Sequence, residues 1–139
     1  MREGESAFLN VDVDVLSRAP LERMVAGLGS EVSIHHVGPE GRRHGAHFSL
    51  YAPRNADRAV RRLAKLIGDL PRPARRLWNE AQHRVFNVGF QGGHRPHSLE
   101  TEISAEALAA VARLGASIAV TIYAAEGESP KRNRKAAQR

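Results

Sequence analysis

The stretch AFLNVDVDV, residues 7–15, decides the fold of this chain. Apolar residues occupy every second position in it, and polar residues lie between them. The apolar set is Leu9, Val11, Val13 and Val15, and the polar set is Asn10, Asp12 and Asp14. A period of two matches a β-strand with one buried side and one side facing water. The stretch therefore predicts an amphipathic strand in a sheet that is covered on one face.

Further alternating segments predict two hairpins and a last strand. Strands are expected near residues 31–37 and 44–51, because the glycines and proline of residues 38–41 supply a turn between them. Alternation at 86–90 and 99–103, on either side of a glycine-rich loop, predicts a second hairpin. The final strand carries Ile118, Val120 and Ile122.

Apolar residues that recur at spacings of three and four predict helices at about 20–28, 56–70, 74–81 and 105–114. Asn55 and Ser104 are expected to cap the second and fourth helices. Trp78 is expected to anchor the core. The buried stripe of the last helix is predicted to be Leu108, Val111 and Leu114, with Gly115 ending the helix.

Together these elements predict an α+β fold. It is a two-layer sandwich with a mainly antiparallel sheet and helices on one face. The predicted order is ferredoxin-like, βαββαβ, followed by βαβ. Residues 1–124 are predicted to form a single domain, and the polar, basic residues 125–139 are predicted to be a disordered tail.

Composition limits the possible functions. The chain of 139 residues contains no cysteine, which excludes disulfides and thiolate chemistry. Five of the 21 basic residues lie between Pro130 and Arg139, so the remaining 16 nearly balance the 15 acidic residues. A nearly neutral body is not typical of a dedicated nucleic-acid-binding fold. No stretch has the length of a membrane span or the pattern of a signal peptide, so a cytoplasmic location is expected.

The segment from Phe86 to Tyr123 resembles the C-terminal half of an uncharacterised bacterial family, a small intracellular α+β domain of unknown function. The matching residues are Leu99, Ser104, Glu106, Leu108, Val111, Leu114, Gly115, Ile118, Val120, Ile122 and Tyr123. The resemblance implies no established activity. Such domains occur among bacterial accessory and immunity-type proteins, so the resemblance favours binding over catalysis.

The chain has no glycine-rich phosphate loop, zinc helix or nucleophile elbow. The first candidate site is therefore a surface and not a motif, namely the polar face of the predicted sheet. Its carboxylates and imidazoles could meet water alone, recognise a ligand or partner, or act as a metal or acid–base site. The candidate residues are Asp12, Asp14, His35, His47, Tyr51, Asn87, Gln91, Glu100, Glu102 and Tyr123.

Histidines and arginines supply two further hypotheses. Histidines near both predicted hairpins could bind zinc, but without cysteine their spacing is not specific, so neither a metal site nor a cofactor is predicted. His36 has the parity of a buried residue. Basic residues along the long helix could form an anion-binding surface with the tail, or a solvated helix face. They are Arg54, Arg58, Arg61, Lys65, Arg75, Arg76, Lys131 and Arg132.

The leading functional hypothesis is a non-enzymatic bacterial protein-binding module that uses the sheet face or the hairpin tips. The alternatives are a nucleic-acid-associated protein that uses the arginine-rich helix and the tail, and a small enzyme or metal-binding protein built on the Asp/Glu/His face. A homodimer is possible, because uncovered sheet edges can pair across a two-fold axis.

Overall fold

In the computed structural model, which describes residues 4–125, the alternating stretch lies in the central strand of a five-stranded sheet. The elements are β1 (Ala7–Ser17), α1 (Glu22–Ala26), β2 (Val32–Glu40), β3 (Arg43–Leu50), α2 (Ala56–Gly68), α3 (Arg72–Glu80), β4 (His83–Gln91), α4 (Ala105–Arg113) and β5 (Ser117–Tyr123). The sheet order is β2-β3-β1-β4-β5. The predicted α+β class is confirmed. No helix within residues 4–125 is both long and apolar enough to cross a membrane.

The sheet is mixed, so the prediction of a mainly antiparallel sheet is wrong. Strand β1 is antiparallel to β3 and β4, and β2 is antiparallel to β3, but β5 is parallel to β4. A parallel pair needs a crossover connection, which α4 provides. The predicted ferredoxin-like order followed by βαβ is not confirmed.

The predicted second hairpin is also wrong, because residues 92–104 contain no strand. The place beside β4 is taken by β5. Residues 99–103 instead pass over the helix side of the sheet, where Ile103 packs against the core and Leu99 lines a cavity. Their alternation therefore does not reflect strand pairing, and only Ile103 is partly buried while Leu99 remains 44% exposed.

One apolar core joins the sheet to all four helices. Val11, Val13 and Val15 are fully buried in it, together with side chains from each helix, whereas Asp12 and Asp14 point away from it. The helices therefore cover one face of the sheet, and the opposite face is called the open face below. The predicted anchor Trp78 is confirmed, since its side chain is 0% exposed.

Local signals for helix ends are confirmed with small differences. The Asn55 side chain accepts a hydrogen bond from the Arg58 amide, and Ser104 caps α4 in the same way. Gly115 ends α4 at a φ of 70°, a conformation that glycine adopts freely. The predicted buried stripe of α4 is partly wrong, because Leu108 is exposed and Ala107 is buried. Helix α1 is shorter than predicted.

Two β-bulges reverse the predicted side of particular residues. A bulge between Phe8 and Asn10 leaves Leu9 39% exposed, so its predicted burial is wrong. A bulge between Ile34 and His36 leaves His36 exposed, which contradicts the predicted buried histidine. One extra residue in a strand is enough to invert the alternation that follows it.

The first hairpin is confirmed, but its turn is shorter than predicted. The strands remain paired up to Glu40 and Arg43, so Pro39 lies within β2 and not in the turn. A proline has no amide hydrogen to donate, and an edge strand such as β2 tolerates it.

Candidate functional site

On the open face, the ring of His47 lies between two carboxylates. Nδ1 is 2.7 Å from Oδ1 of Asp14, and Nε2 is 2.7 Å from Oε1 of Glu40. Ionised carboxylates only accept hydrogen bonds, so a ring protonated on both nitrogens satisfies both contacts. Burial lowers the pKa of His47, but the hydrogen bonds and charges of the two carboxylates outweigh burial, and the pKa is raised. These three residues are called the His47 cluster.

The His47 cluster depends on the register of two strand pairs and on one glycine. Asp14 lies directly opposite His47 in the β1–β3 register. Glu40 reaches His47 along the open face of the hairpin by lying over Gly45, where an added Cβ would be 1.7 Å from its Oε2. Sequence reasoning predicted Asp14 and His47 but missed Glu40, and a glycine inside a strand was the available signal.

A second polar group lies beside this cluster but does not form a catalytic relay. Nε2 of His35 is 2.8 Å from Oγ of Ser49 and 3.7 Å from Oδ1 of Asp12. A relay needs the base to use one ring nitrogen for the nucleophile and the other for the carboxylate, and here one nitrogen faces both. Ser49 is also only 1% exposed, so a substrate cannot reach its hydroxyl.

Asp12 is nevertheless perturbed by its position. Burial raises its pKa, the nearby charge of His35 lowers it, and the charge of Asp14 raises it again, with a net increase. Among residues 4–125, no group of three or more His, Cys, Asp or Glu side chains is arranged to hold a metal ion. Asp12, Asp14, His35 and His47 thus lie together as predicted, in an arrangement of paired polar groups.

The other predicted open-face residues have mixed positions. Asn87 accepts a hydrogen bond from Thr121 of the neighbouring strand. Gln91 is buried and donates to main-chain carbonyls, so it is structural. Tyr51 is exposed just beyond β3. Tyr123 is exposed and lines a shallow open-face cavity of about 380 Å³ with Leu9, Asn10, Asp12, Gly89 and Gln91.

Glu100 and Glu102 do not lie on the open face, so their predicted place there is wrong. Both belong to the strandless segment 92–104. They line a cavity of about 360 Å³ with Asn55, Arg58 and Arg61, beside the start of α2. The prediction failed because it treated 99–103 as a sheet strand.

A cavity of about 380 Å³ on the helix side was not anticipated from the sequence. Val120 is 61% exposed and Ile122 is 69% exposed, although both project from β5 toward the side that the helices cover. We call this cavity the apolar groove. Its lining residues are Ser6, Val88, Phe90, Gln91, Gly92, Leu99, Thr101, Ile103, Ile118, Val120 and Ile122.

The predicted anion-binding face of α2 is largely neutralised. Arg61 pairs with Asp57 and Lys65 pairs with Asp69, each across one helical turn at 3.0 Å. Arg62 pairs with Glu31. Cations that already have carboxylate partners attract an external anion less strongly. Arg58, Arg61, Arg62 and Lys65 nevertheless line a cavity of about 270 Å³ on α2.

A second concentration of positive charge lies between α1 and α3. A cavity of about 610 Å³ is lined by Arg23, Arg72, Arg75 and Arg76, with Pro73 and Asn79, and no acidic residue lines it. Arg76 donates one side-chain hydrogen bond to the carboxylate of Glu80, and Arg75 donates one to the side-chain oxygen of Asn79. We call this the arginine cavity. The predicted tail residues Lys131 and Arg132 lie outside the described residues.

No protein-family model, no curated protein and no solved structure matches this chain. The resemblance of residues 86–123 to a bacterial domain family therefore stays a prediction. The candidate functional surfaces are the His47 cluster, the apolar groove and the arginine cavity.

Proposed function

We propose that this protein is a non-enzymatic protein-binding module that holds an extended apolar segment of a partner chain along β5 and in the apolar groove. The observation that supports it is the exposure of Val120 and Ile122 on a strand whose outer edge is unpaired among the described residues. The resemblance of residues 86–123 implies a bacterial accessory or immunity-type setting for such a module.

Addition of a strand suits both parts of this surface. The outer edge of β5 offers unpaired main-chain donors and acceptors, which supply affinity for any extended segment. Alternate side chains of that segment would enter the apolar groove, whose volume of about 380 Å³ is in the range of ordinary ligand pockets, about 300–1,000 Å³. The groove would therefore favour aliphatic side chains at every second position.

Catalysis has less support from the geometry. The serine beside His35 is buried, and both nitrogens of His47 are already occupied by carboxylates. A general base needs a nitrogen or oxygen that can reach a substrate proton. These polar groups are better understood as contacts that hold the strands together.

The test uses a fluorescein-labelled ten-residue peptide of alternating valine and threonine with a lysine at each end, titrated with the full chain and followed by anisotropy. We expect the wild-type protein to bind the peptide and Ile122→Asp to bind it at least tenfold more weakly. Ile34→Asp is the matched control, because Ile34 is an exposed aliphatic on the opposite edge strand. Equal binding by both variants, or no binding by a wild-type protein that is monomeric, would refute the proposal.

A second candidate is association with single-stranded RNA, which the arginine cavity favours. Arg76 pairs with Glu80, and the other three arginines of the cavity could contact consecutive phosphates. Affinity for a 20-nucleotide single-stranded RNA should then fall steeply with salt, and the salt slope should shrink in the double variant of Arg23→Gln with Arg72→Gln. Arg61→Gln, which alters an arginine paired with Asp57, should leave the slope nearly unchanged. An equal salt slope in all three proteins would exclude the arginine cavity as the RNA-binding surface.

A further inference from the structure

We infer that the partner chain at β5 is a second copy of this protein, paired antiparallel across a two-fold axis that passes through Val120. This inference rests on the proposed function and names the partner of the same surface. It follows from the sequence of β5, from its charge and from the difference between the two edges of the sheet.

The sequence of β5, SIAVTIY, is close to self-complementary about its centre. An antiparallel pair centred on Val120 places Val120 opposite itself and Ile118 opposite Ile122. All three project to the helix side, because they lie in register with Phe86, Val88 and Phe90 of β4. A two-fold axis perpendicular to the sheet keeps each face on its own side, so the exposed aliphatic side chains of both copies meet.

Charge favours β5 as the contact between two copies. The chain has a formal net charge of +6, so two copies repel each other least where the surfaces in contact are neutral. Strand β5 contains no Asp, Glu, Lys, Arg or His. Self-pairing there places no like charges opposite each other, a condition that every isologous contact must satisfy.

The opposite edge of the sheet is unsuitable for the same pairing. Strand β2 contains a bulge next to His36, and Pro39 within it lacks an amide hydrogen. Bulges, prolines and charges are the means by which sheet edges avoid pairing. Strand β5 has none of them over its seven residues.

The expected complex is a reversible dimer with a sheet that continues from one copy into the other. Seven paired residues extend over only about 23 Å at about 3.3 Å per residue. Interfaces dominated by one short strand pair belong to the smaller size class, so we expect a dissociation constant on the order of micromolar.

The test exploits the position of residue 120 on the axis. Sedimentation equilibrium of the full chain should detect a dimer for the wild type, whereas Val120→Lys and Val120→Glu alone should each weaken association at least a hundredfold, because each brings like charges face to face. An equimolar mixture of these two variants should associate again as a heterodimer. Ile34→Lys, on the other edge strand, should dimerise as the wild type does.

A second measurement does not depend on charged substitutions. The chain contains no cysteine, so Val120→Cys would form one intermolecular disulfide on mild oxidation if the two copies of residue 120 face each other. Ile34→Cys should remain uncrosslinked. A wild-type protein that stays monomeric at several hundred micromolar would overturn the inference, as would failure of both the mixture and Val120→Cys.

Failure of this inference is distinguishable from failure of the proposed function. If the chain is monomeric and the valine–threonine peptide still binds the wild type but not Ile122→Asp, the second copy is excluded and the protein-binding role stands. If the chain is monomeric and the peptide does not bind, both the dimer and the protein-binding role are refuted. A dimer that the peptide dissociates supports both.

Discussion

The two ends of the sheet are built on different principles. At the β2 end, Asp14, His47 and Glu40 connect β1, β3 and β2 through charged hydrogen bonds, and a bulge and Pro39 interrupt the outer edge. At the β5 end, the strand is regular, uncharged and aliphatic. At the β2 end, polar contacts hold the strands together and the outer edge is unsuited to pairing with another strand. At the β5 end, apolar packing holds the strand and its outer edge could accept another strand.

Beneath the β5 end, one aromatic side chain connects the helices to the sheet. Trp78 of α3 donates from Nε1 to the carbonyl of Leu114, which follows α4, at 2.9 Å. Its ring also packs edge-on against Phe86 of β4, with centroids 6.5 Å apart. Trp78 therefore connects the end of α4 to the sheet through one buried hydrogen bond and one ring contact.

The largest effect is expected from Trp78→Ala, which tests whether the β5 end depends on apolar packing. Removal of a fully buried tryptophan leaves a cavity and removes the shorter of two hydrogen bonds to the Leu114 carbonyl, which also accepts from Arg84 at 3.4 Å. The free energy of unfolding should fall by about 3–5 kcal/mol. Urea denaturation measures the loss. Trp78→Phe keeps a ring and should cost clearly less, and amides of β5 should lose protection from hydrogen exchange first. A loss below 1 kcal/mol for Trp78→Ala would contradict this description.

A smaller effect is expected at the β2 end from Gly45→Ala. The added methyl group would occupy the position of the Glu40 carboxylate, which must leave His47. We expect the free energy of unfolding, measured by urea denaturation, to fall by about 1–2 kcal/mol. We also expect a lower pKa for His47, measured by NMR-monitored titration. Gly68→Ala is the matched control, because its Cβ would contact nothing within 4 Å. An unchanged His47 pKa in Gly45→Ala would show that Glu40 does not hold the ring.

The smallest effect is the pH dependence of the β2 end. The folded-state pKa of His47 is raised above its ordinary value of 6.5, so the cluster contributes its full stability below pH 6.5 and loses it as the pH rises through the folded-state pKa. We expect a loss of about 1 kcal/mol across that window, because the three side chains are about one-third exposed or less.

Measurement of the unfolding free energy between pH 5.5 and pH 9 tests this expectation. His47→Gln should flatten the dependence, whereas His97→Gln, a change at an exposed histidine in the 92–104 segment, should not. Stability that increases with pH in the wild type and not in His47→Gln would give the opposite sign and exclude an imidazolium between the two carboxylates.

Local signals in the sequence were sufficient for the fold class and for part of the open face. Alternation at 7–15 and the caps Asn55 and Ser104 depend on a few neighbouring residues, so they are readable without the tertiary structure. The same alternation places Asp14 and His47 on the open face, whereas their pairing depends on the β1–β3 register.

The remaining features depend on contacts between distant segments. The bulges at Leu9 and His35 arise from strand pairing, and the reach of Glu40 depends on the missing side chain of Gly45. Alternation at 99–103 has the same period in a paired strand and in an extended segment packed over a core, so it could not exclude the wrong hairpin. For the same reason Glu100 and Glu102 were assigned to the wrong surface.

The position of β5 after all the other described elements has a consequence during synthesis of the protein. Strand β5 is the last of the described elements to leave the ribosome, because the nascent chain emerges from its N-terminus onward. Strands β1 to β4 can assemble before it is available. The exposed aliphatic side chains of β5 are therefore available to neighbouring chains only late in synthesis.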